Sequence, residues 1–157
     1  MQLMSLERWE KLLKGEGCPF CTPRPEENKF WSKVCSFSVL SLYLHKSQTY
    51  RGYALLIFDP RHATKPSDLT VEEWESFCSV LHVAQSAIEK VVLPAHMNVA
   101  ALGNQICHLH WHIIPRYQDD PRWGAPIWTT HESEMQVVSL PQGAHQELVR
   151  DIRAKCI

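Results

Sequence analysis

Apolar residues recur at helical spacing in two parts of the chain. Residues 5–13 carry apolar side chains at every third or fourth position, and Gly15 and Gly17 follow. A longer run begins with Thr70-Val71-Glu72-Glu73, a capping-box pattern, and ends near Pro94. The pattern predicts a short helix near the N-terminus and one long helix between about residues 70 and 93.

Other stretches favour extended structure. Residues 52–58 are apolar on both faces, as in a central strand, and residues 34–45, 97–102 and 106–114 also predict strands. Residues 144–155 predict a terminal helix. This order of elements is typical of an α+β fold, in which an antiparallel sheet packs against one main helix.

Three histidines, His108, His110 and His112, alternate with apolar residues inside the last predicted strand. Alternate residues of a strand point to the same face, so the three imidazoles are predicted to project together. They can be surface residues, ligands of one catalytic metal, or a nucleophile with helpers. A single metal is disfavoured because the outer two lie roughly 13 Å apart along a strand.

The amino-acid composition and net charge disfavour some classes of function. The chain has 157 residues, 45% of them hydrophobic and 21% charged, with a formal net charge of −1. This balance disfavours general binding to nucleic acid or to a membrane surface.

Residues 1–14 lack the pattern of a targeting peptide, and no run approaches the roughly 18 apolar residues of a membrane span. The sequence therefore predicts a cytoplasmic protein whose six cysteines stay reduced. Among them, Cys78 is predicted to lie in the core.

Cys18-Pro19-Phe20-Cys21 allows three interpretations. A redox pair would follow an apolar strand and open a helix, whereas this pair follows a charged helix and precedes Pro23 and Pro25. An incidental surface pair is a second interpretation. Half of a structural zinc site is the third, and it requires two further Cys or His ligands.

The sequence resembles the histidine triad (HIT) family. His108-Leu109-His110-Trp111-His112-Ile113-Ile114 matches the signature His-φ-His-φ-His-φφ, with φ apolar, at every position. Arg51-Gly52-Tyr53-Ala54-Leu55-Leu56-Ile57 followed by His62 looks like the family's central strand, and Asn98 with the Gly103-Asn104 turn resembles its nucleotide-contacting segment. The resemblance covers about residues 17–117 and implies a HIT-like fold with an antiparallel sheet of about five strands, a long helix and a C-terminal helix. We expect residues 1–157 to form one domain, with residues 118–157 as a substrate-side extension.

The resemblance implies nucleotide hydrolase or nucleotidyl transferase chemistry at the α-phosphate. His110 would attack phosphorus to form a nucleotidyl-histidine intermediate, and His112 would contact the bridging oxygen. Asn98, Asn104 and Gln105 would contact substrate. Dinucleoside polyphosphates are the expected substrate class, with phosphoramidates and adenylyl sulfates as alternatives.

The resemblance also implies a metal site. Some members, of a zinc-containing bacterial-type branch, hold structural zinc with residues that correspond here to Cys18, Cys21, His62 and His108. No organic cofactor is implied, and the family is usually a homodimer.

Several alternatives stay open from the sequence. The chain could be a low-turnover nucleotide-binding or interaction protein on the same scaffold, or a redox protein that uses Cys18 and Cys21. Residues 119–128, rich in Trp and Pro, could cover the sheet or shape the leaving-group side, where Arg116 or Arg122 could pair with polyphosphate.

Overall fold

A five-stranded antiparallel sheet with two of the three helices on one face forms the framework of the protein. The computed structural model describes residues 4–21, 23–120, 122–129 and 137–157, so parts of the predicted extension, residues 121 and 130–136, lie outside the described residues. The helices are α1 (Leu6–Leu13), α2 (Val71–Val92) and α3 (Gln142–Arg153), and the strands are β1 (Trp31–Ser36), β2 (Leu40–His45), β3 (Ala54–Phe58), β4 (His96–Ala100) and β5 (His110–Arg116). These elements confirm the predicted α+β arrangement.

The strand order is β1-β2-β3-β5-β4, and every neighbouring pair is antiparallel. β3, the predicted central strand, is buried along its whole length between β2 and β5. One face of the sheet packs against α2 and α3 in the main apolar core, through side chains that include Leu56, Leu109 and Ile113. The opposite face carries His110 and His112, and is called the histidine face below.

α1 and α2 begin and end within one residue of the predicted positions, and α3 begins and ends two residues before them. Thr70 caps α2 by accepting a hydrogen bond from the Glu73 amide, and the Glu73 carboxylate accepts one from the Thr70 amide. Cys78, predicted to be a core residue, is exposed on this helix, so that prediction is wrong. None of the helices in the described part of the chain combines the length and the apolar character that crossing a bilayer requires.

The histidine strand starts later than the sequence predicts. β5 begins at His110, and His108 lies in the turn before it, where its amide donates to the carbonyl of Ile106 at 2.8 Å. The prediction that all three histidines share one strand face is therefore correct for His110 and His112 and wrong for His108. The turn separates His108 from the other two, so it can serve a different site.

Candidate functional site

Two cysteines and two histidines from distant parts of the chain meet beside the start of β5. The Sγ of Cys18 lies 3.5 Å from the Nδ1 of His108, and the Sγ of Cys21 lies 3.4 Å from the Nδ1 of His62. One potential ligand atom from each residue lies within 4.8 Å of all the others. The structure thus brings together all four residues that the sequence proposes as metal ligands.

Local sequence explains how the N-terminal loop reaches this position. α1 ends at Leu13, and Gly15 then adopts a φ of +80°, a backbone conformation that favours glycine. A Cβ atom at Gly15 would lie 3.0 Å from the Cγ of His62, so a larger residue would push the loop away from that ring. His62 itself follows β3 by a few residues, which fixes its backbone to the centre of the sheet.

The donor atoms fit a zinc ion. The Nε2–H of His108 donates to the carbonyl of Phe58 at 2.6 Å, which turns the Nδ1 lone pair towards the cysteines. Burial lowers the pKa of His108 to about 4, so its imidazole is neutral, as a metal ligand must be. Burial and the neighbouring Cys18 raise the pKa of Cys21 to about 11, and a bound cation would reverse that effect. Two sulfur and two nitrogen ligands match a closed tetrahedral zinc site.

His110 is held with one ring nitrogen available to the histidine face. Its Nδ1 lies 2.5 Å from the carbonyl of His108, and because a carbonyl only accepts, Nδ1 carries the proton. Burial lowers the pKa of His110, so its Nε2 keeps an unprotonated lone pair near neutral pH. The ring of Phe20 packs edge-on against this imidazole with 4.9 Å between centroids. A neutral imidazole oriented in this way has the form that a nucleophile requires.

His112 has the opposite tautomer. The hydroxyl of Tyr53 lies 2.7 Å from the Nδ1 of His112, and burial raises the pKa of Tyr53, so the phenol stays protonated. Donation by the phenol leaves the proton of His112 on Nε2; donation by His112 would leave the hydroxyl proton without an acceptor among the described residues. Burial lowers the pKa of His112 to about 3, and repulsion by the protonated forms of His110 and His45 contributes less. The centroids of the His110 and His112 rings lie 4.9 Å apart, so one face of the sheet carries both an acceptor ring and a donor ring.

We predict that these tautomers can be observed directly. A long-range ¹H–¹⁵N spectrum is expected to show the proton on Nδ1 of His110 and on Nε2 of His112. Tyr53→Phe removes the donor to His112 and should give that ring a mixture of tautomers. Tyr117→Phe, which deletes a hydroxyl bonded to the Arg51 carbonyl at 2.7 Å, serves as the control. A wild-type His112 protonated on Nδ1 would contradict the assignment.

Asn98 lies on the histidine face of β4, paired with Ile114 of β5. The guanidinium of Arg116 donates to its Oδ1 at 2.7 Å, which fixes the amide so that its NH₂ group remains available as a donor. Arg116 in turn forms two hydrogen bonds to Asp120, at 2.8 and 3.0 Å, and both side chains are almost fully buried. The charge of Arg116 is already paired inside the protein, which counts against the suggestion that it pairs with polyphosphate.

The remaining predicted substrate residues are less closely tied to the histidines. Asn104 and Gln105 are exposed in the bend before His108, and neither side chain forms a hydrogen bond to another described residue. The structure thus brings together His110, His112 and Asn98 on one face, while it leaves Asn104 and Gln105 on the rim without an assigned contact.

Sequence reasoning missed three groups around the histidines: Phe20, Tyr53, and the pair formed by Arg116 and Asp120. Phe20 lies between the two cysteines, so its position follows once they are assigned to the metal cluster. Tyr53 lies within the segment that resembles the family's central strand, but its contact spans 59 residues of sequence. No local pattern predicts such a contact.

Comparisons with known proteins agree with this arrangement. A family model described as the HIT domain matches residues 31–119. The chain is similar to the crystal structure of a histidine triad protein from Bradyrhizobium japonicum, with 23% identity and a TM-score of 0.74 over 81% of this chain and 91% of that one. A histidine triad protein from Sinorhizobium meliloti gives 18% identity and a TM-score of 0.72 over 80% and 89%. A zinc-bound histidine triad family protein from Mycobacterium smegmatis has 16% sequence identity and a TM-score of 0.56, over 94% of this chain and 91% of that one. No curated protein sequence matches the chain. At these identities the structures establish the shared fold.

Proposed function

Because this chain belongs to the HIT domain family, a nucleotide-binding and hydrolase family, we propose that it is an enzyme that cleaves nucleotides at the α-phosphate. The observation that carries the proposal is the complementary pair of imidazoles, His110 with a free Nε2 lone pair and His112 with an Nε2–H donor, whose ring centroids lie 4.9 Å apart. Dinucleoside polyphosphates are the proposed substrate class, with phosphoramidates and adenylyl sulfates as alternatives.

The proposed reaction has two steps. The Nε2 of His110 attacks the α-phosphorus, forming a P–N bond while the bond from phosphorus to the leaving group breaks with its electron pair. His112 donates a hydrogen bond to the leaving atom, and Asn98 donates its amide N–H groups to the phosphate oxygens. A water molecule then attacks phosphorus, the P–N bond breaks, and the nucleoside monophosphate is released. Transfer to another acceptor in place of water is the transferase version of the same chemistry. Asn104 and Gln105 are proposed as further phosphate contacts.

The experiment is intact mass spectrometry of protein mixed with diadenosine tetraphosphate and quenched rapidly without acid, since a phosphoramidate bond is acid-labile. We expect a transient adduct with the added mass of an adenylyl group, and release of AMP. Binding of nucleotide without an adduct or AMP, across all the substrate classes named above, would favour the low-turnover binding protein over the enzyme.

We also propose that Cys18, Cys21, His62 and His108 hold a structural zinc ion, as in the zinc-containing bacterial-type branch. Support comes from the four convergent ligand atoms and from the zinc-bound relative. When bound, the ion would use all four of its coordination positions on protein atoms, and so would serve to fix the loop and the turn before β5. The alternative redox role is less well supported, because both sulfurs face imidazole nitrogens.

The remaining features of the proposal concern cellular context and assembly. A cytoplasmic location suits a site that needs reduced thiols, and all the cysteines of the structure are free. We further propose that the whole chain forms one domain and that the protein is a homodimer without affinity for nucleic acid or membranes. Light scattering should then give a particle mass of about twice the 18.2 kDa of the chain, and a monomeric mass at micromolar concentration would contradict the dimer.

A further inference from the structure

Two cysteines outside the proposed zinc site lie against each other between the first strand and the end of the last helix. Cys35 belongs to β1 and Cys156 follows α3, so they come from widely separated parts of the chain. Both residues are half-buried and pack against the main apolar core. Their side chains are hydrogen-bonded to each other. The pair is separate from both the histidine face and the four proposed metal ligands, and neither of those sites explains it.

A β-bulge directs Cys35 towards the helices. Lys33 of β1 lies opposite Tyr43 of β2, and Cys35 lies opposite Leu42. Val34 is therefore an extra residue in β1, without a partner of its own in this register. Regular alternation would place Val34 and Cys35 on opposite faces of the sheet, yet both contact the main apolar core. A bulge re-aims side chains in this way, so the Cys35 thiol lies on the face against which α3 packs.

The end of α3 is anchored at the same bulge. The guanidinium of Arg153, the last residue of α3, donates to the carbonyl of Val34 and to that of Lys33, the second at 3.3 Å. The amide of Cys156 donates to the carbonyl of Arg153 at 3.1 Å, so the chain after the helix stays within one turn of this anchor. Cys156 is thus held beside Cys35 by hydrogen bonds that involve neither thiol.

The surroundings of the two thiols differ. Hydrogen bonding by the Cys156 thiol lowers the pKa of Cys35, although burial opposes the change, and the positive charges of the bulge lower it further; these charges belong to Arg153 and Lys33. Arg153 forms no ion pair with a carboxylate in the described part of the chain, so no paired acid offsets its charge. The hydrogen bond to Cys35, together with burial, raises the pKa of Cys156. Because the thiolate is the reactive form of cysteine, Cys35 is the sulfur that reacts first.

We propose that Cys35 and Cys156 are a redox modification site: a hydroperoxide converts them to a reversible disulfide that fastens the end of α3 to β1. The two thiols are free in the structure, as expected for a reducing compartment, where disulfides are usually transient. The proposal is independent of the nucleotide chemistry and of the zinc site, because it uses none of their residues.

The proposed reaction has two steps. The Cys35 thiolate attacks one oxygen of the hydroperoxide, the O–O bond breaks, and the sulfur becomes a sulfenic acid while an alkoxide or hydroxide leaves and takes a proton from water. The Cys156 sulfur then gives up its proton and attacks the Cys35 sulfur, and the sulfenic hydroxyl group leaves with a proton as water. Two electrons pass in total from the two sulfurs to the peroxide, which is reduced to an alcohol or to water. A small dithiol restores both thiols by disulfide exchange.

The test treats the reduced, full-length protein with hydrogen peroxide, blocks the remaining thiols with an alkylating reagent and digests the product with trypsin. Trypsin leaves Cys35 on residues 34–46 and Cys156 on residues 156–157, each without another cysteine. We expect mass spectrometry to show these two peptides joined, and to show them separate again when a dithiol is added before alkylation. Alkylation of both cysteines after peroxide treatment, or a disulfide from either one to a different cysteine, would overturn the proposal.

Single variants identify the sulfur that attacks. In Cys156→Ser the sulfenic acid on Cys35 has no second thiol to meet, so dimedone should trap it, whereas in Cys35→Ser the Cys156 side chain should remain a thiol. Cys78→Ser, which removes an exposed thiol from α2, is the matched control and should give the joined peptides in the wild-type amount. Trapping on Cys156 in Cys35→Ser, with none on Cys35 in Cys156→Ser, would overturn the proposed reaction.

The disulfide is also expected to stabilise the folded protein. A bond that closes a long loop restricts the unfolded chain, and its typical contribution corresponds to a rise of about 4–16 °C in thermal midpoint for a chain of this size. The change on peroxide treatment is measured in the wild type and in Cys156→Ser, so that effects of peroxide on the other thiols cancel in the difference. A change in the wild type equal to that in the variant, or a larger fall, would mean that the bond does not fasten α3 in the folded protein, and would overturn the proposal.

Discussion

His110→Ala is expected to lower turnover of an adenylylated substrate by about four orders of magnitude or more, the scale on which loss of a catalytic nucleophile acts. The Nε2 of His110 is the available lone pair on this part of the histidine face, because His112 has its proton on Nε2 and His108 faces the cysteines. His112 has the wrong tautomer to replace it. The measurement is release of AMP from diadenosine tetraphosphate, with a fluorogenic adenylyl substrate as a second assay.

The control for this experiment is His82→Ala, which removes an exposed histidine from α2. It should retain wild-type turnover. His110→Ala should keep the wild-type thermal midpoint within a few degrees, so that loss of turnover cannot be attributed to unfolding. Full activity in a correctly folded His110→Ala protein would refute the nucleophile assignment. If variants of Cys18 and Cys21 were also inactive, the redox alternative would be favoured.

Removal of zinc is expected to destabilise the protein by about 10 °C or more in thermal midpoint. Structural zinc contributes folding free energy directly, and each kcal/mol corresponds to about 2–4 °C for a chain of this size. The proposed ligands join the N-terminal loop to His62 and His108, so without the ion two partly buried thiols and two imidazoles would lose their shared partner. The measurements are zinc content by elemental analysis and the thermal midpoint with and without a strong chelator.

Cys21→Ser should reproduce the effect of the chelator and lower the zinc content, whereas Cys78→Ser, at an exposed thiol on α2, should change neither quantity. Adding zinc back to chelated wild type is expected to restore the midpoint, and it should not do so in Cys21→Ser. If the wild-type protein contains no zinc and the chelator does not change its thermal midpoint, the proposal of a zinc site is refuted. Chelation should change turnover per folded molecule little, because neither His110 nor His112 is among the four proposed ligands.

The elements that the sequence predicts well are those whose signals are local. The capping box at Thr70 and the helical spacing after it place α2, and the continuous apolar run places β3 at the centre of the sheet. The strand period of two also places His110 and His112 on one face. The same period fails at His108, because a turn that ends in a backbone hydrogen bond to Ile106 interrupts the alternation, and nothing in the signature marks that turn.

The site required more than local signals. The four proposed zinc ligands follow from family resemblance, while their convergence over as many as 90 residues of sequence is a property of the fold. Arg116 is an example. Its charge and its position after the histidines suggest a phosphate contact, but its guanidinium forms a buried ion pair with Asp120. Whether a charged side chain is available to a ligand depends on its partners, and these are decided by packing.

By itself, the sequence determined the α+β class, the central strand, the long helix and the histidines that share a face, because periodicity and capping act between residues a few positions apart. The tertiary structure alone decided which nitrogen of each imidazole carries the proton, since this depends on Tyr53 and on the carbonyl of His108. It also decided that Trp123 and Trp128 border an open cleft and that Arg116 is paired with the buried Asp120. Those outcomes depend on contacts between segments far apart in the chain, where distance and burial, and not residue type, select the partner.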